Sequence, residues 1–239
     1  MSVSNPPDSV YQRPQHALGK RSKRRVLCDQ SHFRIYHESL IQDEQHSRFY
    51  QFPNDAFLFI LEGQAYLSDK EVGLALNAHQ GCWISPSQVH KLVLLSPTVE
   101  LLAIVYQGNL APCADALYLL NQAYDAKNNH LQKGNQSIKR HTLSLSDSLA
   151  IELEHYPKHQ AEHLHYHRHS DQFVMVLEGE LGLKGTRHST PIKAYDWQLI
   201  KAKERHCLMN PLPQASLCLS IYSPPPMKDR VLVLKKKAN

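Results

Sequence analysis

Four histidines stand at alternate positions, 163, 165, 167 and 169, in Glu162-His163-Leu164-His165-Tyr166-His167-Arg168-His169-Ser170-Asp171-Gln172. Alternate side chains of an extended strand share a face, so on a strand all four imidazoles would point one way. An unprotonated imidazole offers an sp² nitrogen that suits Zn, Fe, Ni and Cu alike. The apolar run at 173–177 that follows, closed by Glu178-Gly179, reads as a strand and its turn. Imidazoles carried into a packed sheet make a site for a divalent transition metal. The competing reading is a solvated histidine-rich loop with incidental metal affinity.

Other chemistries find little support. There is no G-x-S-x-G, no phosphate-cradling glycine loop, and only nine glycines in 239 residues. The five cysteines, 28, 82, 113, 207 and 218, are odd in number and form no C-x-x-C pair, which points to a reduced, intracellular protein. Residues 1–19 are polar, carry Pro6, Pro7 and Pro14, and lack the apolar core of a signal peptide. No stretch approaches the roughly 18 to 20 apolar residues of a membrane span. A cytoplasmic location with no membrane partner is the expectation. The formal charge of +5 is concentrated at Lys20-Arg21-Ser22-Lys23-Arg24-Arg25 and Lys235-Lys236-Lys237. Basic runs near termini read as solvated tails, so a nucleic-acid partner is not expected.

The elements that must position the histidines are short apolar or alternating runs separated by turn signals. They include 33–36, 57–61, 92–95 and 101–106 in the first half. In the second they are 143–153, 173–177, 180–183, 197–200, 206–209, 217–222 and 231–234. Many short strands at such spacing suggest antiparallel sandwiches or barrels. Between the halves, Pro112 opens a stretch in which Ala116, Leu119, Leu120 and Ala123 recur at helical spacing. It reads as a helix over 112–124, followed by a polar linker at 125–137.

The halves echo each other. Leu61-Glu62-Gly63 recurs as Leu177-Glu178-Gly179 (179 − 63 = 116), His90 as His206 (206 − 90 = 116) and Tyr106 as Tyr222 (222 − 106 = 116). Chance does not readily supply three equal spacings in order, so the chain reads as two copies of one β-domain. The expected division is a basic N-terminal arm at 1–25, a first domain at 26–110, helix and linker at 111–140, a second domain at 141–226, and a C-terminal strand and basic tail at 227–239.

The second half resembles the cupin superfamily. It carries His165-x-His167, four residues, Gln172, then six residues to Gly179; further on stand Asp196, His206 and Asn210. Tyr195 replaces the glycine of the family's second motif, and Lys201 and Lys203 replace its turn residues. The resemblance implies an all-β chain of two tandem cupin barrels (double-stranded β-helix, or jelly-roll), joined by a short helical linker. It implies a metal held by His165, His167, Gln172 and His206, with Fe, Mn, Ni and Zn all candidates. Gln172 stands where the family usually has glutamate. A neutral amide in that place leaves the metal without an anionic protein ligand, which should weaken its hold and favour an anionic substrate. Protons should compete for the imidazoles near pH 6.5, the ordinary histidine value. The first half is degenerate: Ala56 matches Gln172, no His-x-His precedes it, and of the ligand set only His90 remains.

The functional expectation is a mononuclear non-haem metal enzyme, dioxygenase-like, acting on a small anionic or enolisable organic compound. The alternative is a non-catalytic sensor that binds a small ligand. Homo-oligomerisation through sheet edges is expected in either case.

Overall fold

The structure is a computed structural model that describes residues 15–18, 20–42, 47–69, 73–86, 89–107, 138–185, 189–226 and 229–233. All regular secondary structure among them is β. The helix expected at 112–124 and the linker at 125–137 lie outside the described residues. The chain divides into two compact units, Met1–Asp125 and Ala126–Asn239.

The first unit contains β1 (Gln15–Ala17), β2 (Lys23–Asp29), β3 (Phe33–Ile41), β4 (Ser47–Tyr50), β5 (Ala56–Glu62), β6 (Gln64–Ser68), β7 (Gly73–Asn77), β8 (Gly81–Ile84), β9 (His90–Leu94) and β10 (Thr98–Tyr106). They form one sheet in the order β1-β2-β3-β10-β5-β8 and another in the order β4-β9-β6-β7. The second unit contains β11 (Lys139–Leu145), β12 (Ala150–Tyr156), β13 (His165–His167), β14 (Asp171–Glu178), β15 (Glu180–Lys184), β16 (Ser189–Lys193), β17 (Trp197–Ile200), β18 (Cys207–Met209), β19 (Ser216–Ser223) and β20 (Arg230–Leu232). Its sheets run β11-β12-β19-β14-β17, β16-β15-β18 and β13-β20.

The repeat is therefore topological as well as sequential. The order β2-β3-β10-β5-β8 is reproduced element for element by β11-β12-β19-β14-β17. In both units the strand before the Leu-Glu-Gly turn is buried along nearly its whole length, residues 56–61 in β5 and 172–177 in β14. A strand covered on both faces needs a near-continuous apolar run, which is what these sequences carry. β6 and β7 instead alternate buried and exposed residues, as strands with one wet face do. Gly63 and Gly179 both have positive φ, +85° and +79°, where a β-carbon would also meet Thr98 O or Ser216 Oγ.

Three details refine the sequence reading. The alternating stretch at 143–153 is two strands, because Ser146 turns the chain: its hydroxyl accepts the amides of Ser148 and Leu149. The basic arm expected at 1–25 already contributes β1 and the start of β2. Within it the Arg24 guanidinium, at 2.6 Å, neutralises the fully buried Glu38. Pro224 ends β19, but the chain then returns as β20, antiparallel to the histidine strand β13. The C-terminal strand read at 231–234 is thus present at 230–232 and pairs beside the site.

The interior of the second unit is an apolar cluster that includes Tyr156, Val174, Val176, Ile200, Leu208 and Cys218. Val174 and Val176 share a face of β14 with Gln172, so one strand carries both the apolar packing and the amide.

Candidate metal centre

β13 is only three residues long, and that decides which histidines meet. His165 and His167 lie on one face of it and are buried. His163 and His169 fall beyond its ends and are exposed, so the expected face of four imidazoles reduces to two. The third comes from the residue before β18. His206 exchanges both backbone hydrogen bonds with His165, at 2.9 and 2.8 Å, which lays the two rings 4.3 Å apart. The ligand atoms of His165, His167 and His206 all lie within 4.8 Å of one another.

Backbone carbonyls set the tautomers of two rings. His165 Nδ1 stands 2.9 Å from the carbonyl of His163, and His206 Nδ1 stands 2.9 Å from that of Glu204. A carbonyl can only accept, so each Nδ1 carries the proton and each Nε2 presents its lone pair. Arg230 Nη2 also approaches His165 Nδ1, at 3.2 Å. With the proton committed to His163, that approach is packing rather than a second hydrogen bond. His206 Nε2 and both nitrogens of His167 are buried without a protein partner. An orphaned buried polar atom costs about 1–3 kcal/mol, and a cation coordinated by these rings would satisfy them. Burial, reinforced by the neighbouring His206 and Arg230 charges, pushes His165 down to about 3 and His167 down to about 4. Burial lowers His206 as well. The cluster is therefore neutral, as metal ligation requires.

Gln172 is the buried second residue of β14, opposite Tyr222 and Ile200. Its Nε2 donates to Tyr222 Oη at 3.0 Å and to Ser220 Oγ at 3.3 Å, while Oε1 is buried and unpartnered. The Tyr222 ring lies 5.5 Å from that of His167. Tyr222 donates to Glu154 Oε1 at 2.7 Å, Tyr156 donates to Glu154 Oε2 at 2.8 Å, and Arg140 Nε donates to Oε1 at 3.3 Å. Arg140 and Arg230 also share Glu162 Oε1, at 2.5 and 3.0 Å. Two guanidiniums thus balance two carboxylates, and a cation held by neutral rings and an amide would keep its full charge.

Sequence reasoning missed Arg140, Glu154, Glu162 and Arg230. A signal for two of them was present: Arg24 and Arg140, like Glu38 and Glu154, are 116 residues apart (140 − 24; 154 − 38). Asn210, the last residue of the motif, ties a loop, donating to the carbonyls of Tyr156, Pro157 and Gln214. Lys203, at a turn position of the motif, adopts φ +68° and donates its amide to the carbonyl of His167 at 2.6 Å.

In the first unit only His90 keeps a ligand-type side chain at the corresponding positions. Tyr50 faces His90 across the sheet, as His165 faces His206. Phe52 follows two residues later, as His167 does, and their rings lie 5.9 Å apart. Ala56 pairs with Ile84, as Gln172 pairs with Ile200. The Tyr50 hydroxyl donates to buried Glu38, and burial together with that carboxylate raises it well above its ordinary range.

No family profile and no curated protein sequence matches the chain. Solved structures do. A cupin 2 conserved barrel domain protein from Leptotrichia buccalis superimposes with a TM-score of 0.65 at 14% identity, over 87% of this chain and 91% of that one. AerE from Microcystis aeruginosa gives 0.70 at 15%, over 88% and 96%. Oxalate decarboxylase from Bacillus subtilis gives 0.66 at 11%, over 98% and 79%. At such identities the likeness is one of fold: the chain is all-β among its described residues and shares the fold of cupin-type proteins. Its three-histidine group is of a kind that could hold a metal.

Proposed function

We propose that the chain is a bicupin, two tandem barrels joined through residues 111–140, and a mononuclear metal enzyme whose second barrel carries the site. His165, His167 and His206 hold a divalent transition metal (Fe, Mn, Ni or Zn) through nitrogen, and Gln172 adds its amide oxygen. The observation that carries this reading is the convergence of three buried, neutral imidazoles with ligand atoms within 4.8 Å. The bound ion supplies Lewis acidity and open positions for substrate and O₂.

The substrate class follows from charge. Arg140 and Arg230 are matched by Glu154 and Glu162, so the compensating anion must come from outside: a small carboxylate or an enolisable compound. Oxalate decarboxylase, among the structures of this fold, acts on such an anion. The proposed reaction is oxygen-dependent and dioxygenase-like. In the first unit Tyr50, Phe52 and Ala56 favour a binding role without metal. We further propose a cytoplasmic homo-oligomer that acts on small molecules rather than on nucleic acid.

The test is elemental analysis of protein purified without a histidine tag. It is followed by O₂-uptake and CO₂-release assays on small dicarboxylates and 2-oxo acids. Close to one metal per chain, lost in His165→Ala, is expected. Metal well below stoichiometry after reconstitution would sink the enzyme reading and leave the sensor.

A further inference from the structure

We infer that Tyr222 and Glu154 are positioning residues that fix which end of the Gln172 amide serves the metal. The inference rests on the reading of Gln172 as a ligand and assigns what makes it one. An amide side chain has two ends of nearly equal shape. Only its oxygen coordinates a divalent ion, because the nitrogen's lone pair is delocalised into the carbonyl. A glutamine in a ligand position is useful only if the wrong end is denied.

The hydrogen-bond chain denies it. Glu154 is a carboxylate and can only accept; it takes Arg140 Nε at 3.3 Å and the Tyr156 hydroxyl at 2.8 Å. Tyr222 has one proton and gives it to Glu154 at 2.7 Å. The Tyr222 oxygen is then left only as an acceptor, so the group 3.0 Å away on Gln172 must be the NH₂. Ser220 Oγ at 3.3 Å supports the same end. Oε1 is thereby turned away from the chain, buried and without a protein partner. The direction of the donors runs one way from the amide to the carboxylate, and reversing the amide would set oxygen against oxygen.

The first unit supplies an internal control. Its Glu38 also holds an arginine, Arg24, but its hydroxyl partner is Tyr50, which stands where His165 stands. The position of Gln172 is Ala56. A buried carboxylate paired with an arginine is common to both units, whereas the link from carboxylate through tyrosine to an amide is confined, among the described residues, to the unit with three histidines.

The test is Co²⁺ titration of apo-protein by calorimetry in the full chain and in Tyr222→Phe, Glu154→Gln, Gln172→Glu and Gln172→Glu/Tyr222→Phe, with His165→Ala as reference. Tyr222→Phe should lower Co²⁺ affinity by about 10- to 100-fold, the usual effect of removing a group that orients a ligand. In the Gln172→Glu background the same change should not reproduce that loss, because a carboxylate has two equivalent oxygens, no wrong end, and no N–H for the Tyr222 oxygen to hold. A purely structural role would lower affinity equally in both backgrounds, and that result overturns the inference. So does an unchanged affinity in Tyr222→Phe while His165→Ala abolishes binding; the metal site then stands without the positioning. If His165→Ala leaves Co²⁺ binding intact, the metal reading itself fails and the inference falls with it. Should Tyr222→Phe not fold, Glu154→Gln serves instead: an amide at 154 can donate as well as accept, so it too should lose affinity only when residue 172 is glutamine.

Discussion

Lowering the pH from 7 to 5 should weaken metal binding far less than ordinary histidines would, and the share of two of the three rings can be worked from the site. Protons and metal compete for the same nitrogens. With His167 held down at about 4 and His165 at about 3, only about 10% of the first and about 1% of the second are protonated at pH 5. Together they cost an apparent affinity factor of about 1.1. Two histidines at the ordinary value of about 6.5 would each lose roughly 25-fold over the same range, together about 600-fold. His206 is shifted in the same direction. The expectation drawn from the sequence, competition near 6.5, is therefore displaced downward by burial. Stability moves separately. The folded pKa values lie below the unfolded ones, so the unfolded chain binds more protons at mildly acid pH. The contribution of these histidines is complete above about 6.5 and is lost as the pH falls toward 4 and then 3. Calorimetric Co²⁺ titration of untagged apo-protein at pH 7, 6 and 5, with circular dichroism confirming the fold at each, measures the effect. A loss of several hundredfold by pH 5 in folded protein would refute the desolvated cluster.

Other outcomes follow from single contacts. Gln172→Glu should raise affinity for Mn²⁺ or Fe²⁺ by about tenfold or more, since a charged oxygen binds a hard ion better than a neutral one, and should weaken binding of small carboxylates; paired titrations with and without oxalate check both. Lys203→Gly should stabilise the protein by about 0.5–1 kcal/mol in urea unfolding, because an exposed lysine holds φ +68° there. Asp229→Asn should destabilise by about 1–3 kcal/mol, since that carboxylate accepts both amides and both side chains of His169 and Ser170. Burial raises the Asp229 pKa, but these hydrogen bonds outweigh it and hold the group well below its ordinary range. Its contribution is present above about pH 4 and lost as the pH falls through the folded value, which acid titration of the two proteins would show.

The spacing of His165 and His167, the return of His206 at the repeat distance, and the apolar run of β14 were legible because each depends on strand alternation or on the repeat. The fate of His163 and His169 was not. Alternation says which residues share a face but not where the strand ends, and the end of β13 is set by its pairing with β20, far away in sequence. The first unit's Tyr50 and Phe52 were hidden for a related reason: the loop to Ala56 is one residue shorter than the loop from His165 to Gln172 (172 − 165 = 7; 56 − 50 = 6), so the constant offset of 116 pointed to their neighbours. The ion pairs of Arg140, Glu154, Glu162 and Arg230 join four segments, and only the repeat offered a hint of two of them.

The pairing of β13 with β20 also bears on how the protein is made. The ligand strand leaves the ribosome about 65 residues ahead of the strand that completes it (165 to 230). At roughly 5–20 residues per second, that is an interval of about 3–13 s. During it His165 and His167 lack the strand that pairs with theirs, and for most of it His206 is still to be made. On the proposed metal reading, loading of the complete site follows translation through β20, and a pause between β14 and β19 would lengthen the period in which the ligand strand is unpaired.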